Sequence, residues 1–210
     1  MNAVVNGATH HLLAVEALRS AHGGPFDFTL DEGECVAVLG RSGSGKSVLL
    51  RLLADLDPGL GGRVTLGGRE RETWPAPEWR RHVVYQAAEP AWWQPTVAGH
   101  FRPSDRALLD ELMPKLGLDA ALLDADLLRL STGERQRFAL IRSLACAPAV
   151  LLLDEPAASL DAESTAALER LLQERLARGL AVVLVTHSRE QAERLAVRRF
   201  EMAARRLHPL

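Results

Sequence analysis

The sequence predicts an α/β fold: a mainly parallel sheet flanked by helices, with a short inserted α-helical lobe and an antiparallel β portion near the N-terminus. Short, almost wholly apolar runs at 35–40 (CVAVLG), 149–155 (AVLLLDE) and 180–187 (LAVVLVTH) have the length of strands buried on both faces. Helical patterns alternate with these runs, as a parallel sheet with crossover helices requires. FDFTLDE (26–32) instead alternates apolar and polar residues, the mark of a half-buried strand.

Gly33 and Glu34 turn that half-buried strand into the 35–40 run. Residues 46–56 place Val48, Leu49, Leu50, Leu52, Leu53 and Leu56 at helical spacing. DPGLGG (57–62) is a loop and RVTLGG (63–68) a short strand with a turn. HVVYQ (82–86) is the next strand. Prolines at 90, 95, 103 and 114 punctuate residues 87–129, where DRALLDELMPKLGL (105–118) reads as helix, so this segment is taken as the inserted lobe. A helix begins at Ser131 and runs to Pro148. A further helix, 161–178, is stopped by Gly179, and the closing stretch 189–207 begins as helix and finishes in short strands. Residues 1–210 form one domain in this reading.

With 25% charged and 47% hydrophobic residues, the composition is that of an ordinary globular protein. A formal net charge of −2 gives no case for the chain as a whole being a nucleic-acid or polyanion binder. Cys35 and Cys146 are the only cysteines; they form no metal spacing and no disulfide framework, which suits a reducing compartment. The N-terminus lacks a basic start and a long apolar stretch, so no signal peptide is expected. No run approaches the ~18 apolar residues of a membrane helix, so the chain is not expected to span a membrane.

Arginine outnumbers lysine 23 to 2, so Lys46 stands out against the bias. It belongs to GRSGSGKS (40–47), which fits G-x-x-x-x-G-K-[ST] between an apolar strand and a helix. Gly43 and Gly45 let such a loop wrap so that successive backbone N–H groups face phosphate oxygens. The helix start adds its positive dipole end, Lys46 reaches the β- and γ-phosphates, and the Ser47 hydroxyl binds Mg²⁺. VLLLDEP (150–156) brings Asp154 and Glu155 to the C-terminal end of a strand, where open α/β sheets bind ligands. Asp154 is the candidate Mg²⁺ ligand and Glu155 the candidate general base. His187 ends a third strand at the same sheet edge and is a candidate γ-phosphate donor; a structural histidine is the plainer alternative.

These motifs, taken together, resemble the ATP-binding-cassette (ABC) ATPases over nearly the whole chain. The ordered set is the P-loop at 40–47, Gln86 after a strand, LSTGE (130–134), VLLLDE (150–155), SLD (159–161) and His187. The resemblance implies a P-loop NTPase fold that binds ATP and Mg²⁺ and pairs head-to-tail with a second copy of itself. ATP would lie between the phosphate loop of one copy, Gly40, Arg41, Ser42, Gly43, Ser44, Gly45, Lys46, Ser47 and Val48, and the signature residues Ser131 and Gly133 of the other. It also implies that Gln86 touches Mg²⁺ and the attacking water, and that Asp161 communicates between sites; Asp161 also suits a helix N-cap.

Four positions depart from the family pattern. Val48 stands where threonine is usual, Thr132 replaces a glycine and Glu134 a glutamine. The aromatic residue that stacks on adenine is missing; His22 is the substitute, or else a surface-loop histidine. Ser131 and Glu134 also make the S-x-x-E capping box of an ordinary helix start, which is compatible with an anion site.

The resemblance further implies an ATPase subunit driving a separate integral membrane permease from the cytoplasmic face of the membrane. In motif texture the chain is similar to small bacterial cassettes, including the type linked to metal export. The competing class is a soluble ABC ATPase serving repair, translation or assembly. In EPAWWQPTVAGHF (89–101), one of Trp92 and Trp93 is expected to be exposed as an anchor for the permease; the alternative is that both pack under the lobe. The transported substrate and its direction are not legible.

Overall fold

The computed structural model describes residues 11–210; residues 1–10, which began the stretch read for a leader, lie outside the described residues. From the N-terminal side, β1 (Leu13–Ser20) and β2 (Gly23–Leu30) form a hairpin, and β3 (Cys35–Leu39) leads into α1 (Lys46–Leu53). A second hairpin, β4 (Arg63–Leu66) and β5 (Arg69–Glu70), is followed by α2 (Ala76–His82) and β6 (Val83–Gln86). The chain continues through α3 (Arg106–Lys115), α4 (Thr132–Leu144), β7 (Val150–Asp154), α5 (Ala162–Leu176) and β8 (Ala181–Val185). It closes with α6 (Arg189–Leu195), β9 (Arg198–Ala203) and β10 (Arg206–Pro209).

Two sheets result. The larger has the order β10-β9-β3-β8-β7-β6, parallel throughout except for the β9–β10 hairpin. The smaller, β2-β1-β4-β5, is antiparallel, as expected near the N-terminus. Every residue of β3, β7 and β8 is buried, because alternate side chains enter two different cores. Val36, Leu152 and Val183 pack with α1 and the antiparallel sheet, around Phe26, Leu50 and Leu53. Leu151, Leu153 and Leu184 pack on the other side with Leu112, Phe138 and Leu168 of the helices. Each core leucine or valine so buried contributes about 1.5–3 kcal/mol.

Several element ends differ from the sequence expectation for identifiable reasons. α1 stops at Leu53 instead of 56: Asp55 takes a left-handed φ of 55°, and the N–H groups of Asp55 and Leu56 donate to Leu52 and Arg51 at 3.2 and 2.9 Å. That double bond is a Schellman stop with aspartate in the usual glycine place. α4 ends at Leu144, before Pro148, because the residue preceding a proline resists the helical conformation; Ala147 adopts φ 48°. β1 was not anticipated: a bulge at Ala17, φ 47°, breaks its alternation. α2, also unanticipated, is short, and its fully buried Trp79 donates Nε1–H to the Leu53 carbonyl at 2.8 Å, docking it on the end of α1.

The 87–129 segment contains α3 and four short 3₁₀ turns. Pro103 opens one of those turns, whereas Pro114 is accommodated inside α3, one residue from its end.

Candidate functional site

The C-terminal ends of β3, β7 and β8 converge on one cleft of ≈ 560 Å³. After β3 the chain turns through Gly40, Gly43 and Gly45, with φ of 147°, 76° and 106°. At Gly43 and Gly45 an added Cβ would meet nothing within 4 Å, so the left-handed backbone, not crowding, demands glycine there. Gly45 caps α1 without any side-chain bond, which leaves the first amides of the helix open toward the cleft. Lys46 is 8% exposed, and its Nζ donates to the carbonyls of Gly40 and Arg41 at 2.7 and 3.1 Å. The ammonium is thus held inside the loop, against the open amides, in a setting made for a polyanion.

Asp154 and Glu155 follow from β7. The Glu155 N–H still donates to the Val185 carbonyl of β8 at 2.9 Å, and its φ of 48° then turns the chain away from the sheet. Left-handed backbone is costly for a non-glycine residue and gathers at functional sites. The Glu155 Oε2 accepts the His187 backbone N–H at 3.3 Å and lies 2.7 Å from His187 Nδ1. Against an ionised carboxylate, which only accepts, Nδ1 is the donor, and Nε2 can then donate to a ligand only in the doubly protonated ring. The carboxylate keeps lone pairs free to take a proton from water.

Of the residues singled out from sequence, Gly40, Ser42, Gly43, Gly45, Lys46, Ser47 and Val48 line the cleft. Asp154, Glu155 and His187 line it too, and so do Ala88 and Ala158, which carried no chemical signal. Arg41 and Ser44 belong to the loop but are not cleft-lining; the Ser44 Oγ is buried without a partner among the described residues. His22 sits on the exposed turn between β1 and β2 and does not line the cleft.

Gln86 points elsewhere. Its Oε1 accepts the Ser143 Oγ–H of α4 at 3.3 Å, its Nε2 is buried without a partner among the described residues, and it lines a second groove of ≈ 560 Å³. Trp93 stands 66% exposed at that groove while Trp92 is half-buried, so one of the pair is exposed as expected. Both rings stand edge-on to His100, at 4.8 and 4.7 Å, and Arg142 lies over both, at 4.4 and 4.9 Å from the ring centroids.

Ser131 and Gly133 are also outside the cleft. Ser131 caps α4 in a complete capping box with Glu134. Gly133 lies against the segment before α5, where a Cβ would come within 3.2 Å of the Ser159 carbonyl. Asp161 caps α5: its Oδ1 accepts the Ser164 N–H at 2.7 Å, and this bond holds its carboxyl below the usual carboxylate range.

One polar contact was missed. The Tyr85 hydroxyl donates to Asp154 Oδ2 at 3.1 Å. Burial, then the charge of Asp154 and this bond, push the phenol above its ordinary range, so it is a donor at any physiological pH. Its only sequence signal was its place in the apolar HVVYQ strand, where a tyrosine reads as packing.

Comparison with known proteins places these features in a family. The profile of the family described as ABC transporter matches residues 24–158. The lipoprotein-releasing system ATP-binding protein LolD of Idiomarina loihiensis is 36% identical over 185 residues, covering 80% of this chain and 81% of the relative. An aliphatic sulfonates import ATP-binding protein, SsuB 2 of Paracoccus denitrificans, is 39% identical over 176 residues, covering 82% of this chain and 67% of that one. Among solved structures, an ATP-binding subunit of an ABC transporter superposes with a TM-score of 0.85 at 24% identity, covering 93% of this chain and 88% of its own. The dimeric post-hydrolysis state of the ATP-binding cassette MJ0796, bound to ADP and phosphate, superposes at 0.78 with 21% identity, covering 93% and 96%. Those likenesses carry the fold, a P-loop NTPase cassette, and the sequence relatives carry the family. The chain belongs to the ABC transporter family, as an ATP-binding cassette of it.

Proposed function

We propose that this chain is the ATP-hydrolysing subunit of an ABC transporter and works as a head-to-tail dimer beneath a separate integral membrane permease. The observation that supports it most is the convergence of Lys46, Ser47, Asp154, Glu155 and His187 on one cleft that Ser131 and Gly133 do not line. A second copy would supply those two residues from the opposite side. Among the described residues no helix is long and apolar enough to cross a membrane.

In this reading the loop amides and Lys46 hold the β- and γ-phosphates, Lys46 exchanging its carbonyl partners for phosphate oxygens. Ser47 and Asp154 offer a hydroxyl and a carboxylate in the same cleft, a hard-oxygen donor set that fits Mg²⁺, which takes few protein ligands and fills its shell with phosphate and water. When bound, that ion supplies charge neutralisation on the β- and γ-phosphate oxygens. Glu155 draws a proton from the attacking water as its oxygen bonds to the γ-phosphorus and the bond to the β-phosphate oxygen breaks, leaving ADP and phosphate. His187, held through Nδ1 by Glu155, donates from Nε2 to the charge that develops on the γ-phosphate only when its ring carries both protons. Gln86, turned toward α4 here, reaches the cleft in this scheme only after its strand end rearranges.

The groove beside Trp93 is the docking surface this reading assigns to the permease, and the working location is the cytoplasmic face of the membrane. The experiment is coexpression with the permease that works with this chain. Cofractionation with membranes, and ATP hydrolysis that responds to the permease, are expected. A chain that stays soluble with no membrane protein copurifying would contradict the transporter role.

A further inference from the structure

We infer that Tyr85 is a positioning residue for the metal carboxylate, fixing Asp154 so that one of its oxygens is presented to Mg²⁺. The inference deepens the assignment of Asp154 as the Mg²⁺ carboxylate and rests on it. Sheet geometry brings the two together. β6 and β7 are parallel and Tyr85 is registered opposite Leu152. Side chains alternate along a strand, so Leu152 and Asp154 share a face, and Asp154 is the diagonal neighbour that a long aromatic side chain can reach. Tyr85 packs on the same side, against the core that holds Leu152, and its hydroxyl meets Asp154 Oδ2 at 3.1 Å. Gln86, the next residue, consequently falls on the opposite face, toward Ser143 of α4.

Asp154 is 4% exposed, and Tyr85 is the side chain hydrogen-bonded to it among the described residues. A carboxylate at a strand end is free to rotate about its last bond unless something holds one oxygen. The phenol O–H does this by donating to Oδ2, and it leaves Oδ1 for the cleft. Partners of this kind, which orient a metal-binding group without touching the metal, change metal affinity about 10–100-fold when removed.

The test uses the full chain and three variants: Tyr85→Phe, Asp154→Asn and the two combined. Mn²⁺ is titrated by electron paramagnetic resonance at saturating ATP, and binding of a fluorescent ATP analogue is measured in EDTA. Tyr85→Phe is expected to weaken Mn²⁺ binding about tenfold, with analogue binding in EDTA and the melting temperature unchanged. Hydrolysis lost by this variant is expected to return at high Mg²⁺, which a general packing defect would not allow. The double variant should bind Mn²⁺ no worse than Asp154→Asn alone, since Tyr85 acts through Asp154. If Asp154→Asn weakens Mn²⁺ and Tyr85→Phe does not, the role of Tyr85 is overturned while the metal assignment stands. If neither variant changes Mn²⁺ binding, the assignment of Asp154 fails and the inference fails with it.

Discussion

Ser131 and Glu134 close a reciprocal cap at the start of α4: Ser131 Oγ accepts the Glu134 N–H at 3.2 Å, and Glu134 Oε2 accepts the Ser131 N–H and Oγ–H, both at 2.8 Å. The carboxylate that replaces the family's glutamine therefore turns back on its own helix instead of facing outward toward a phosphate. Ser131→Ala removes the cap oxygen, at a cost of about 1 kcal/mol, and the hydroxyl assigned to the opposite nucleotide. It is expected to impair ATP-driven dimerisation. Glu134→Gln keeps an oxygen that can accept the same bonds and should leave dimerisation intact or improve it. Light scattering with and without ATP reads both; equal loss in the two variants would refute the division of roles.

Gly133 has an own-chain constraint besides any approach to phosphate. A Cβ there would sit 3.2 Å from the Ser159 carbonyl and 3.3 Å from Leu160 Cδ2. Gly133→Ala should force apart the start of α4 and the segment leading into Asp161. The expected result is a melting temperature lower by a few degrees, from roughly 1 kcal/mol of strain, with ATP-driven dimerisation reduced more than ATP binding. Wild-type melting and dimerisation in this variant would show that the contact carries no such constraint.

His100 makes the loop after β6 sensitive to acid. Its Nε2 accepts the N–H groups of Trp93 and Gln94 at 3.0 and 3.1 Å, while Nδ1 lies 3.0 Å from the Thr96 carbonyl. A proton on Nε2 would face two N–H donors. Burial, helped by the nearby Arg142 charge, holds the ring below the ordinary imidazole value. A depressed native value means that the unfolded chain binds the extra proton first. The ring's contribution is therefore complete above about pH 6.5 and lost as pH falls toward the lower native value. Thermal melts from pH 8 to 5.5 should show wild type losing more stability than His100→Gln, the curves converging in acid. Parallel curves would exclude the mechanism.

The cleft was legible in the sequence because its parts are local. A glycine-rich turn between an apolar strand and a helix, and two carboxylates ending another apolar strand, each carry their geometry within a few residues. Tyr85 was not legible, because its contact depends on the β6–β7 register across 69 residues of chain. The direction of Gln86 was hidden for the same reason: alternation along β6 decides which face it takes, and sequence spacing alone does not. β1 escaped because the bulge at Ala17 broke its period, and α2 because seven residues show too little of a helical period. His22 stands in the sequence where an aromatic residue is missing, but the structure puts it on an exposed turn outside the cleft lining.

In the proposed function Glu155, seated 2.7 Å from His187 Nδ1, is the base that activates water for ATP hydrolysis. Its most direct test is single-turnover hydrolysis by purified Glu155→Gln, measured together with ATP binding and sedimentation. If Glu155 has that role, hydrolysis falls by about 10²-fold or more, ATP still binds, and an ATP-bound dimer accumulates. Turnover at the wild-type rate in a folded, ATP-binding Glu155→Gln protein would contradict it.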